Sequence, residues 1–195
     1  MKKIKILFLI PSLNLGGAEV LLINHINNIS RDKFKPALMI VGKNKELLYR
    51  VKEDVIIFEI NSSRFFYFFS LFNILRLVKT FNPEIIHSHL LKANLLSRII
   101  KFFSWNTKII NHYHGLSEWA KFEFYFDRYS GFLMDNAIVV SQRSYELRLL
   151  REKINPNKLK LIYNFVNFFP KNLKYKNNKN KIVLGMACRL IKLKN

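Results

Sequence analysis

The segment Pro83-Glu-Ile-Ile-His-Ser-His89 sets His87 and His89 two residues apart, and Asn111-His-Tyr-His-Gly115 repeats the spacing with His112 and His114. On a β-strand such a pair shares one face. Both pairs close a short apolar run, so they belong at the carboxyl end of a strand. An imidazole there can contact a polar ligand or pass a proton near neutral pH. His114, followed by Gly115, is the candidate for that work. His89 and Gly115 are further candidates for ligand contact, and His87 reads as a satisfied buried histidine. Several imidazoles also raise the question of a metal. No H-E-x-x-H spacing accompanies them, and the expectation is no metal and no cofactor.

A second chemical feature lies near the start. Ile6 to Ile10 is apolar, Pro11, Ser12 and Asn14 form a turn, and Gly16-Gly17 precede a helical pattern from Ala18. The first amides of a helix have no intrahelical acceptor and carry the positive end of its dipole. Glycine lets an anion approach that backbone because no Cβ intervenes. Gly16 and Gly17 are therefore candidates for contact with a phosphate or sugar. The spacing is not the G-x-G-x-x-G of a dinucleotide site. At the other end of the chain, Arg189 and Lys194 follow an apolar run. A guanidinium can grip a phosphate through two hydrogen bonds, and an ammonium adds a point charge.

Alternating elements are needed to hold these residues. Apolar runs at 34–41, 55–60, 84–89, 107–113, 136–140 and 159–163 read as strands. Periodic segments at 18–29, 45–52, 63–81, 91–103, 118–133 and 142–152 read as helices. Ser62 or Ser63 and Ser141 are positioned to cap the helices that follow them. Continuous apolar strands alternating with helices predict a parallel sheet covered on both faces, a Rossmann-like α/β fold. Such sheets bind ligands at the carboxyl ends of their strands. Residues 165–180 break the rhythm and read as a linker. A further strand, Lys181 to Ala187, opens what reads as the start of a second, incomplete domain.

The chain has 195 residues, half of them hydrophobic, and a formal net charge of +20. Its last acid is Glu152, so the final stretch is purely basic. This suits diphosphates or an anionic membrane surface. The single cysteine, Cys188, excludes an internal disulfide and a thiolate metal cluster. Pro11 interrupts the first apolar run too early for a signal peptide. The aromatic stretch from Phe65 to Leu75 is too short to span a bilayer. The expectation is a cytoplasmic protein, with Phe65, Phe66 and Phe68 as candidates for contact with the inner face of a membrane.

Six landmarks together resemble the glycosyltransferase family 4 proteins of the two-domain GT-B fold. They are Gly16-Gly17-Ala18-Glu19, Pro83 through His89, His114-Gly115, Val139-Val140-Ser141, Leu161-Ile-Tyr-Asn164, and Arg189-Leu190 with Lys194-Asn195. The resemblance implies transfer of a sugar from a nucleotide-sugar donor to an acceptor hydroxyl, with retention and without a bound metal. It implies that residues 1–164 form the acceptor-side domain, 165–180 the linker, and 181–195 the opening of the nucleotide-sugar domain. The acceptor would be a cell-surface polysaccharide or lipid-linked glycan. The residue matching His114 lies near the reacting sugar. Gly16 and Gly17 would face the donor phosphates, with Arg189 and Lys194 neutralising them. His89, Gly115 and Asn164 would lie on the acceptor side, Asn164 at the domain boundary. Cys188 and Asn164-Phe-Val-Asn167 depart from the family pattern. Two other readings stay open: a remnant that binds without catalysis, and a basic nucleic-acid-binding domain. The second lacks an aromatic RNA-binding signature or a helix-turn-helix, so no nucleic acid is expected.

Overall fold

The computed structural model describes residues 2–62, 67–115 and 121–165, with backbone alone for 67–69 and 121–123. Seven parallel strands form one sheet: β1 (Ile4–Ile10), β2 (Phe34–Ile40), β3 (Ile56–Glu59), β4 (Ile85–His89), β5 (Lys108–Tyr113), β6 (Asn136–Val139) and β7 (Leu159–Leu161). Their order is β3-β2-β1-β4-β5-β6-β7, and every pairing is parallel. Five helices connect them: α1 (Gly17–Asn28), α2 (Tyr67–Phe81), α3 (Leu91–Phe103), α4 (Lys121–Ser130) and α5 (Gln142–Leu150).

The continuous apolar runs are explained by burial on both sides. Leu7 and Leu9 of β1 point to one face, where they join Ala37, Met39, Ile74 and Val78 of α2, and Ile100 of α3. Phe8 and Ile10 point to the other, against Leu22, Ile23 and Ile26 of α1. All four β1 side chains are fully buried. Each such side chain contributes about 1.5–3 kcal/mol through area removed from water. This central strand therefore anchors both layers, and the loop that leaves it starts from a fixed point.

The expected helix at 45–52 is a single 3-10 turn, Leu48–Arg50. The amide of Leu47 donates to the Leu13 carbonyl, and the Leu13 amide donates to the Asn44 carbonyl. The segment spends its backbone groups holding the β1 exit loop and has none left for a regular helix. Ser141 caps α5 as expected, its Oγ accepting from the Ser144 amide at 3.2 Å. The capping role of Ser63, the aromatic candidates Phe65 and Phe66 and the side chain of Phe68, residues 166–180 of the linker, the strand at 181–187, and Arg189 and Lys194 lie outside the described residues.

Candidate active site

The strand order reverses direction once. From β1 the chain moves outward to β2 and β3, then returns to place β4 on the other side of β1. The carboxyl ends of β1 and β4 are therefore the topological switch point, the place where open α/β sheets bind ligands. Gly16 and Gly17 follow β1, and His89 ends β4. His114 and Gly115 follow β5, the next strand over. Five of the sequence candidates, Gly16, Gly17, His89, His114 and Gly115, thus converge on three adjacent strand ends. Asn164 does not join them. It is exposed beyond β7, two strands further along the sheet.

The glycine turn is open. A Cβ at Gly17 would meet nothing within 4 Å, and Gly17 is exposed. Gly16 is the N-cap of α1, extended at φ −152°, and no side chain caps the helix. The first intrahelical bond of the turn runs from the Val20 amide to the Gly16 carbonyl at 3.0 Å. The preceding amides are left for a ligand or solvent. One detail refines the expectation of bare amides. Glu19 lies in the first turn of α1, and its carboxylate sits where a side chain on Gly16 would project. That carboxylate already complements the helix dipole. Gly42 braces the loop from behind, donating to the Pro11 carbonyl at 2.8 Å where a Cβ would collide with the same oxygen.

His114 is half-buried. Its Nε2 lies 2.9 Å from Nδ1 of His89, so one ring donates and the other accepts. Burial holds the His114 imidazole down to about 4, so it is neutral at physiological pH. A neutral imidazole carries one N–H and one lone pair, suited to orienting a hydroxyl. Burial and the neighbouring rings hold His89 well below its ordinary range too. Leu90, directly after His89, adopts φ 69° and ψ 155°, a backbone region that costs a non-glycine residue about 1–3 kcal/mol. This is how β4 turns into α3 in one residue and keeps His89 at the rim.

Behind this rim is a buried ionic network that the sequence reading missed. Arg98 of α3 is fully buried. It donates to Asn111 Oδ1 at 2.7 Å, to the Asp127 carbonyl and Ser130 Oγ at 2.9 Å, and to the Tyr113 hydroxyl at 2.6 Å. It also pairs with the Asp127 carboxylate at 2.7 Å. Arg148 of α5 pairs with Glu152, lies 3.9 Å from Asp127, and sits 4.1 Å from the centre of the Tyr113 ring. Its Nη2 donates to the Gly115 carbonyl at 3.4 Å. The network thereby ties α3, α4 and α5 to the end of β5 and to the residue beside His114. Burial pushes the Tyr113 hydroxyl well above its ordinary range and Glu152 up to about 7. The signal was present in α3: Asn94, Ser97, Arg98 and Lys101 recur at helical spacing and are all buried, a polar stripe on the inward face.

Comparison with known proteins agrees with this architecture. A family model described as Glycosyltransferase Family 4 matches residues 15–168. No curated protein matches the sequence significantly. Among solved structures, the chain is similar to HepE from Anabaena in complex with UDP, at 21% identity and a TM-score of 0.66, covering 83% of this chain and 44% of that one. It is similar to a glycosyltransferase from Rickettsia africae, at 23% identity and a TM-score of 0.67, covering 84% and 43%. It is also similar to a putative UDP-N-acetylglucosamine 2-epimerase from Listeria monocytogenes, at 19% identity and a TM-score of 0.64, covering 84% and 46%. At these identities the likeness is one of fold. The chain spans under half the length of each of these structures.

Proposed function

The chain belongs to glycosyltransferase family 4, and from that premise we propose that it supplies the acceptor-side half of an enzyme transferring a sugar from a nucleotide-sugar to an acceptor hydroxyl. The observation that carries this reading is the β1/β4 switch point, with a helix end lacking a side-chain cap on one side and a neutral histidine pair on the other. Phosphate favours the first rim and sugar hydroxyls the second. HepE was solved with UDP, which supports a uridine nucleotide as the probe to try first.

In this proposal Gly16 and Gly17 accept the donor phosphate side, and His114 contacts the reacting sugar. His89 fixes the orientation of His114. Gly115 lines the acceptor side, Asn164 lies too far along the sheet to join it, and Arg189 and Lys194 neutralise the leaving diphosphate, whose charge grows in the transition state. Retention at the anomeric carbon and a cell-surface polysaccharide or lipid-linked acceptor are part of the same proposal. So is the division into residues 1–164, 165–180 and 181–195. The chain spans under half the length of the solved structures it resembles, and the 195 residues alone are expected to show little or no transfer.

Among the described residues no helix is long and apolar enough to cross a membrane. Phe102, Phe103 and Trp105 at the end of α3 are exposed, as are Tyr125, Tyr129 and Phe132 near α4. These rings, with the basic net charge, support contact with an anionic membrane surface as the source of a lipid-linked acceptor.

The test is a titration of the chain with UDP followed by amide NMR. Shifts at Gly16, Gly17, His114 and Gly115 are expected. Saturable shifts confined to the opposite edge of the sheet, or none at millimolar UDP, would remove the physical basis of the proposal.

A further inference from the structure

All five histidines of the chain gather on one side of the sheet. His25 comes from α1, His87 and His89 from β4, and His112 and His114 from the end of β5. Their rings form a continuous group. The centroids of His87 and His89 are 4.5 Å apart, those of His89 and His112 are 4.8 Å apart, and those of His112 and His114 are 4.3 Å apart. His25 reaches the group edge-on, 5.4 Å from His87. The register explains the convergence. His89 pairs with His112 across β4 and β5, and His87 lies two residues back on the same face.

Three of these side chains are buried: His87, His89 and His112 are 3%, 0% and 7% exposed. Nε2 of His87, Nε2 of His89 and both ring nitrogens of His112 find no hydrogen-bond partner among the described residues. A buried polar nitrogen without a partner costs on the order of 1–3 kcal/mol, and here several share one place. Sheet cores are normally filled by apolar side chains, so a cluster of this kind needs a reason.

We propose that His87, His89 and His112 form a binding site for one divalent transition-metal ion of the zinc class. One ring nitrogen from each lies within 4.8 Å of the others. The ligating nitrogens of three imidazoles around a tetrahedral ion at about 2.0–2.1 Å would sit about 3.4 Å from one another. Small rotations of the rings close that gap. The rings are on two hydrogen-bonded strands, so the backbone already holds their separation. An all-imidazole set selects zinc, copper, nickel or cobalt over magnesium or calcium, which prefer oxygen. Burial keeps all three imidazoles neutral at physiological pH, so no proton has to leave before the ion binds.

The ion would also act on the rim. With Nε2 of His89 on the metal, its Nδ1 must carry the proton and donate to Nε2 of His114, 2.9 Å away. A hydrogen bond of this type fixes the tautomer of both rings. His114 then presents an N–H at Nδ1, a nitrogen that has no partner among the described residues. The site thus lies outside the sugar-transfer chemistry but sets which face of His114 is a donor.

The experiment is titration of the chelator-treated full chain with Zn(II) alone and Co(II) alone. One equivalent is expected to bind, with a rise in melting temperature that grows with ion concentration. Co(II) is expected to give the intense visible bands of a four-coordinate nitrogen site. His87→Gln, His89→Gln and His112→Gln should each weaken binding at least about a hundredfold, whereas His25→Gln should change it by less than about threefold. Histidine side-chain 15N NMR of the unaltered chain avoids dependence on variant folding, and Zn(II) should shift His87, His89 and His112 together. Six-coordinate Co(II) spectra, binding that survives all three substitutions, or zinc shifts confined to His25 would each overturn the proposal.

Discussion

Acidification should weaken the fold through the histidine group, and the size of the effect follows from burial. His112 is held down to about 3 against an ordinary value of 6.5. Burial is the main cause, followed by the His114 and His25 rings. The unfolded chain takes up a proton on this ring as pH falls through 6.5, and the folded chain refuses it until about 3. The stabilisation is therefore complete above 6.5 and is lost progressively as pH drops below it. Between pH 7.5 and 5.5 the His112 contribution amounts to about 1.3 kcal/mol. His114, held down to about 4, acts in the same direction. Glu152, raised to about 7 by burial, acts in the opposite one, so total stability is a poor readout. A difference removes it. His112→Leu deletes one imidazole and leaves Glu152 in place. Urea unfolding of both proteins at the two pH values, in chelator, should show the unaltered chain losing about 1.3 kcal/mol more than the variant. With an m-value of about 2 kcal/mol/M, the midpoint difference changes by roughly 0.6 M. His114→Leu should behave alike. Equal losses in all three proteins would show that these rings are solvated, and the neutral-histidine argument would fail.

Other substitutions probe the remaining claims. Arg98→Met should destabilise the chain by about 3–5 kcal/mol in urea unfolding, because Asp127 keeps a buried charge without its main partner; a loss below about 1 kcal/mol would mean the network is solvated. Gly17→Val should leave the melting temperature within a few degrees, since the added side chain points into open space, yet abolish the UDP-induced shifts at neighbouring amides. Ser at both Phe102 and Trp105 should reduce retention on anionic vesicles without lowering stability, as both rings are exposed; unchanged co-sedimentation would remove this surface as a membrane contact. Leu90→Gly should be nearly neutral in urea unfolding, the relief of a left-handed backbone offsetting the loss of a half-buried side chain.

The strands and the parallel sheet were legible because burial on both faces writes itself as unbroken apolar runs. Ile6 to Ile10 and Phe34 to Val41 needed no long-range information. The rim was legible for a related reason: glycines and histidines closing such runs fall at strand ends by construction. What could not be read was register. His87, His89, His112 and His114 looked like two separate pairs, and only the pairing of β4 with β5 makes them one group. Spacing along one element argues against a metal, whereas the ligands proposed here come from two. The Arg98 network was hidden because its partners are spread over β5, α4 and α5, and a lone arginine in a helix ordinarily reads as solvated. The loop at 45–52 resembles a helix in sequence because the competing hydrogen bond of Leu47 goes to Leu13, far away in the chain.

Arg148 has a mechanical consequence. Its guanidinium is clamped from one side by Glu152 and touches the Gly115 carbonyl on the other. It projects from α5, the helix that feeds β7 and the last described residues. Sliding α5 along its axis would drag that carbonyl with it, and His114 is the adjoining residue. The switch-point site is geared to the exit path of the chain, so a tug on the carboxyl-terminal side of the sheet would be felt where the sugar is expected to sit.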